Sequence, residues 1–121
     1  MNFKKKVKSN LNYLEMTPVP MYSYETAEEG LIKVLVPKFT SQFAKKYVNK
    51  WLKYPYIKAN LDEFGTSVWL LMNGENKVDY IGNKLTEQFG ERIEPVYDRL
   101  TLFLTQLYQA GFIKFKETER N

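Results

Sequence analysis

The sequence contains neither cysteine nor histidine. Without cysteine there is no disulfide framework, no thiol nucleophile and no thiolate metal ligand. Without histidine a Ser–His–Asp triad has no base, and a zinc site loses its imidazole ligands. Acid–base chemistry is left to carboxylates, lysines, tyrosines and hydroxyls. That weighs strongly against an enzyme and leaves open one built on carboxylates or lysine. The six glycines are scattered as helix ends and turns, so there is no Gly-rich loop to cradle a phosphate. No apolar run approaches the length of a membrane span. The basic start (Lys4, Lys5, Lys6, Lys8) is not followed by an apolar stretch, so it does not read as a signal peptide. The expected compartment is the cytoplasm.

What is present suits one folded domain. The chain has 121 residues, 44% of them apolar and 16% aromatic, enough to bury a core without covalent staples. Charged residues make up 26%, with a formal net charge of +4. The charge is uneven. Up to Lys58 eleven lysines face four glutamates, whereas from Ala59 onward seven Lys plus Arg face ten Asp plus Glu. The basic half suits an acidic partner or a solvated lysine-rich surface equally well.

Residues 1–20 read as a basic, weakly ordered tail in which Pro18 and Pro20 break regular structure. The domain is expected over 21–116. Met21 to Glu25 alternates in period two and predicts a strand. Glu28-Glu29-Gly30 supplies a turn, and Leu31 to Val36 predicts a second, more buried strand ending at Pro37, so the two form a hairpin. Between Pro37 and Pro55 lies an amphipathic segment with Thr40 or Ser41 as cap. Phe43, Tyr47, Val48, Trp51 and Leu52 share one face, and lysines fall elsewhere. Packing on the sheet is its leading reading; partner binding and an anionic membrane surface are the others.

Tyr56 to Leu61 predicts a third strand. Three helices follow. Asp62 caps the first, whose buried face is Val68, Trp69, Leu71 and Met72, and Asn73-Gly74 closes it. Asn76 is expected to cap the second, with the stripe Val78, Ile81, Leu85, Phe89 and a stop at Gly90. Pro95 opens the third beside Glu94, with the stripe Val96, Leu100, Phe103, Leu104, Leu107 and a stop at Ala110-Gly111. Phe112 to Phe115 predicts a last short strand, and Lys116 to Asn121 a frayed tail. The expected fold is α+β and winged-helix-like: a three-stranded antiparallel sheet packed on three helices, with the extra amphipathic segment between strands two and three.

Residues from about 54 to 115 resemble the PqqD family, named for a pyrroloquinoline quinone synthesis protein. The resemblance rests on Leu61-Asp62-Glu63, Val68-Trp69-Leu70-Leu71, the Asn73-Gly74 turn, and the stripe Val78, Ile81, Leu85, Phe89. It continues through Arg99-Leu100, Phe103-Leu104, Leu107 and Gly111-Phe112-Ile113. The resemblance implies a domain that binds the leader of a ribosomally made precursor peptide. It also implies a modifying enzyme as partner, often a radical S-adenosylmethionine enzyme with iron–sulfur clusters. No cofactor is implied for the domain itself. In the family the peptide adds as an extra strand to the third strand and lies in a cleft against the third helix. The longer link between strands two and three and the basic tail depart from the family pattern.

The residues then take these roles. Tyr56, Ile57, Lys58, Ala59 and Asn60 are the candidate edge for an incoming strand. By sequence alone the plainer reading is an ordinary edge guarded by Lys58; the resemblance turns it toward a peptide site. On the third helix Leu100, Phe103 and Leu104 are candidate groove residues that also suit plain core. Tyr97, Thr101 and Tyr108 lie off the stripe centre and suit a cleft wall. Arg99 suits a peptide carboxylate or a local bond to Glu94 or Asp98. Asp62 and Glu63 sit at a helix start, which explains them better than a catalytic pair does. The expectation is a non-catalytic recognition module. One alternative is a winged-helix DNA-binding protein, disfavoured because Arg99 is the sole cation from Glu94 to Ala110. The third reading is a structural subunit, a homodimer with an aromatic interface.

Overall fold

The structure, a computed structural model, describes residues 12–37 and 56–118. Its elements in chain order are β1 (Pro18–Pro20), β2 (Tyr24–Thr26), β3 (Ile32–Pro37), β4 (Tyr56–Asn60), α1 (Glu63–Leu71), α2 (Val78–Phe89), α3 (Val96–Gln109) and β5 (Ile113–Phe115). The class is α+β as expected, with a three-stranded antiparallel sheet in the order β2-β3-β4 and three helices among the described residues. The described residues form two compact units. One runs from Tyr22 to Glu63; the other combines the residues up to Met21 with those from Phe64 onward. The amphipathic segment predicted over 41–53 lies outside the described residues.

In the sheet unit the expected hairpin is present. Tyr24 lies opposite Val34 and Thr26 opposite Ile32. Glu28, Glu29 and Gly30 connect the strands in a three-residue loop. Ala27 N–H donates to the Leu31 carbonyl (2.8 Å), and Gly30 N–H to the Ala27 carbonyl (2.9 Å). Gly30 has φ +86°, a conformation that costs an L side chain about 1–2 kcal/mol. Ile32 and Val34 are buried while Lys33 and Leu35 between them are half-buried, the period-two signature of a strand with one covered face. The first strand begins later than predicted, at Tyr24, because Met21 joins the other unit: its N–H donates to the Phe112 carbonyl at 2.8 Å.

In the helical unit, burial follows the predicted stripes apart from Val96 and Phe103 on α3, which are half-buried. Val78, Ile81 and Leu85 are fully buried on α2, as are Leu100 and Leu104 on α3. At roughly 1.5–3 kcal/mol per buried side chain, this burial outweighs the few tenths per residue separating helix propensities. Val68, Trp69 and Met72 form the buried face at α1, while Leu71 is only half-buried. After α1 the chain reverses at Asn73-Gly74, with Gly74 at φ +82°. The Asn73 Oδ1 accepts from the N–H of both Glu75 and Asn76, at 2.9 and 2.8 Å.

Asn76 does not cap α2. The cap position is Lys77, with no side-chain bond, and the Asn76 amide instead donates backward to the Leu71 carbonyl (2.8 Å). The open carbonyls at the end of α1 are the nearer acceptors for an amide N–H in this turn. Pro95 occupies the cap of α3, one place before the first helical residue.

The largest differences from the sequence reading lie at both ends. Residues 12–20, read as weakly ordered tail, carry a 3-10 turn (Tyr13–Glu15), the fully buried Met16, and β1. Prolines pair in a strand here because of phase. The bonds Lys116 N–H to Thr17 carbonyl (3.0 Å) and Met21 N–H to Phe112 carbonyl flank the β1–β5 ladder. Alternation then leaves Pro18 and Pro20 at positions where no N–H is needed. At the other end, the tail read as frayed begins with a 3-10 turn (Lys116–Thr118) and a buried Thr118. Both oxygens of the Glu117 carboxylate are engaged: one accepts from Thr17 N–H and the other from Thr17 Oγ1, each at 2.7 Å. Among the described residues no helix is long and apolar enough to cross a membrane.

Candidate functional site

β4 is the third predicted strand, and it is an edge of its sheet. Leu61 N–H donates to the Ile32 carbonyl (2.9 Å), which sets the phase of the β3–β4 ladder. With Ala59 opposite Val34 and Ile57 opposite Val36, these two residues bond inward to β3. Tyr56, Lys58 and Asn60 therefore direct their N–H and C=O groups outward. Among the described residues no strand pairs with that outer edge.

The side chains sort by face. Ile57 and Ala59 share a face with the buried Ile32 and Val34; Tyr56, Lys58 and Asn60 share the other with Lys33 and Leu35. Ile57 is 54% exposed and Tyr56 48% exposed, a large apolar surface for so short a strand. Lys58 would ordinarily guard such an edge. Here its Nζ reaches back across β3 to the Glu25 carboxylate on β2, at 3.1 Å. The lysine is thereby drawn over the sheet, away from the outward backbone groups. Both partners are about half exposed, so the pair is worth only about 0–1 kcal/mol and is readily exchanged. At the Asn60 end of β4 a concavity of about 260 Å3 is lined by Leu31, Ile32, Leu61, Glu29, Lys33 and Asn60, with Ala27.

The candidate residues of the third helix have varied surroundings. Leu100 and Leu104 are fully buried: they are core, and they touch a ligand only through the residues they support. Phe103 is half-buried in an aromatic cluster, its ring 6.0 Å from that of Phe64, which in turn lies 6.3 Å from Phe89. Arg99 stacks its guanidinium over the Phe64 ring at 5.6 Å, and its Nη1 donates to the Arg92 carbonyl (3.3 Å) in place of the Glu94 or Asp98 pairing considered from sequence. Tyr97 is committed inside the unit: its hydroxyl bonds the Asp79 carbonyl (3.1 Å) and Asn83 Oδ1 (2.8 Å). Burial, then the nearby Asp79 carboxylate, raises the Tyr97 pKa. Thr101 Oγ1 donates to the Tyr97 carbonyl (2.8 Å), a helix-internal bond. The Tyr108 ring lies 5.4 Å from Phe115. β4 belongs to the sheet unit and α3 to the helical one.

Sequence reasoning missed three features here. Leu70 and Leu102 are 54% and 60% exposed. The signal for both was their place off the helical stripes: four apolar residues in a row, Val68 to Leu71, cannot all fit one face. Gly82, counted from sequence among the glycines at helix ends and turns, instead lies buried inside α2, and the Tyr97 ring fills the space beside it. Tyr13 was assigned to the tail. Its ring meets Phe115 edge-on at 5.7 Å, and its hydroxyl contacts Thr105 Oγ1 at 3.0 Å.

Neither the curated proteins nor the solved structures include a significant match to this chain. The family model described as Coenzyme PQQ synthesis protein D (PqqD) does match, over residues 56–113. The match opens on β4, takes in all three helices and closes on the first residue of β5. The β2–β3 hairpin, which supplies the Glu25 partner of Lys58, precedes it. The match over residues 56–113 bears out the resemblance and supports membership of the PqqD family.

Proposed function

We propose that this protein binds the leader region of a ribosomally made precursor peptide by strand addition to β4, and presents it to a modifying enzyme without itself making or breaking bonds. The observation that carries the reading is the outer edge of β4. Three residues, Tyr56, Lys58 and Asn60, direct backbone donors and acceptors outward on a strand that no described strand covers. A peptide in extended conformation satisfies that row, backbone pairing giving affinity and side chains giving choice. The family match, which begins at this strand, supports the same reading. The enzyme partner we propose is of the class the family resemblance implies, a radical S-adenosylmethionine enzyme. Holding the peptide raises its local concentration there.

The DNA-binding alternative loses ground on one detail: Arg99 is stacked on Phe64 and bonded to a carbonyl, so the lone cation of α3 is already engaged. The test is an amide NMR titration of labelled protein with short peptides encoded beside its gene. Shifts at Tyr56 to Asn60 support the proposal. Silence at β4 with every such peptide, together with salt-sensitive shifts on duplex DNA, would replace it with the alternative.

A further inference from the structure

The two faces of β4 present different chemistry, and the ladder phase decides which face a bound strand feels most closely. An antiparallel strand added at the outer edge forms hydrogen-bonded pairs at Tyr56, Lys58 and Asn60. It forms the closer, non-bonded pairs at Ile57 and Ala59, where opposing Cα atoms approach to about 4.5 Å. Opposing residues share a face. Residues opposite Ile57 and Ala59 therefore lie on the side of the buried Ile32 and Val34. Residues opposite Tyr56, Lys58 and Asn60 lie beside a hydroxyl, an ammonium and an amide, all hydrogen-bond donors.

We infer that β4 selects an extended peptide in which apolar residues alternate with acidic ones, the apolar set opposite Ile57 and Ala59 and a carboxylate opposite Lys58. This rests on the strand-addition reading above and adds the chemical class of the ligand. The apolar preference follows from Ile57, more than half exposed on the same face as fully buried neighbours. A side chain opposite it removes that surface from water. The acidic preference follows from Lys58. Its partner Glu25 lies two strands away and holds it through a half-exposed contact, so a carboxylate directly opposite takes over or shares the ammonium at little cost. Lys33 adds a second positive charge to that face, against the single carboxylate of Glu25 among the described residues of the sheet.

The experiment uses the full chain and three short synthetic peptides with blocked termini: valine alternating with glutamate, valine alternating with lysine, and serine alternating with glutamate. Binding is read from β4 amide shifts. The valine–glutamate peptide is expected to bind tightest, about three- to five-fold tighter than valine–lysine, the span of one exposed ion pair. Lys58→Glu should invert that order. Ile57→Thr should weaken both valine peptides by roughly ten-fold and leave the charge preference in place. Both residues are exposed, and retained dispersion of the amide spectrum checks the fold of each variant. If β4 amides shift equally with all three peptides, or Lys58→Glu leaves the order unchanged, the inference fails and strand addition stands. If no peptide moves a β4 amide while genomic-neighbour peptides do, the selection rule alone is overturned. Silence with every peptide sinks both.

Discussion

The ring of Tyr97 on α3 occupies the space that any side chain at position 82 on α2 would need. A Cβ built at Gly82 would meet the Tyr97 ring and hydroxyl at under 3.0 Å. The ring is not free to yield, because its hydroxyl bonds Asp79 and Asn83 on α2 itself. The missing side chain and the tyrosine thus form one helix–helix junction.

Gly82→Ala is accordingly expected to destabilise. The helix gains about 1 kcal/mol of propensity, but displacing the ring and its hydrogen bonds costs some 2–3 kcal/mol. The net loss expected is about 1–2 kcal/mol. In the Tyr97→Ala background the same change should be neutral or stabilising, giving a coupling energy above about 1 kcal/mol in a double-mutant cycle of denaturant midpoints. Additive midpoints would refute the junction.

Alkaline stability should depend on two tyrosines. Burial raises the Tyr13 pKa, partly offset by its bond to Thr105, and raises that of Tyr97. A folded-state pKa above the ordinary 10.0 means the native state holds its proton longer than the unfolded chain does. Their contribution is whole below pH 10.0 and is lost as pH rises through the higher folded value. Thermal midpoints should fall above that pH, and Tyr13→Phe with Tyr97→Phe should flatten the fall. An unchanged slope in the double variant would contradict the assignment.

Glu117 holds the buried Thr17 by both its N–H and its hydroxyl. Glu117→Ala leaves those donors without their carboxylate and should cost about 1–3 kcal/mol. Hydrogen exchange at the Thr17 amide should accelerate in step with the lost stability. Protection equal to that of the unaltered protein would show that the carboxylate is dispensable.

The outward phase of β4 has a sharp backbone test. Lys58→Pro removes a donor that points away from β3, so the sheet should survive while strand addition is lost. Ala59→Pro removes a donor that points into the ladder and should cost at least about 1–3 kcal/mol of stability. Peptide titration and thermal unfolding of the pair should separate binding from folding. Equal damage to stability from both substitutions would place the phase one residue out.

The helices were legible in the chain because their signal is local. Val78, Ile81, Leu85 and Phe89 recur at the helical period, and all are buried on α2. Gly30, Gly74, Gly90 and Gly111 punctuate the elements they were expected to punctuate. The hairpin and the edge candidate from Tyr56 to Asn60 were readable from alternation and turn residues. Asn76 was misread because spacing places a polar residue near a helix start without saying which neighbouring helix end it will serve.

Sequence by itself thus determined the α+β class, the three helical stripes and the scarcity of catalytic side chains, since these depend on residue type and short-range period. Tertiary structure alone decided that Pro18 and Pro20 pair in a strand, that Tyr97 rests on Gly82, and that Lys58 is drawn to Glu25 while Tyr56, Lys58 and Asn60 turn their backbones outward. Each of these depends on a partner many residues away, and on a ladder phase or ring position that only the folded backbone sets.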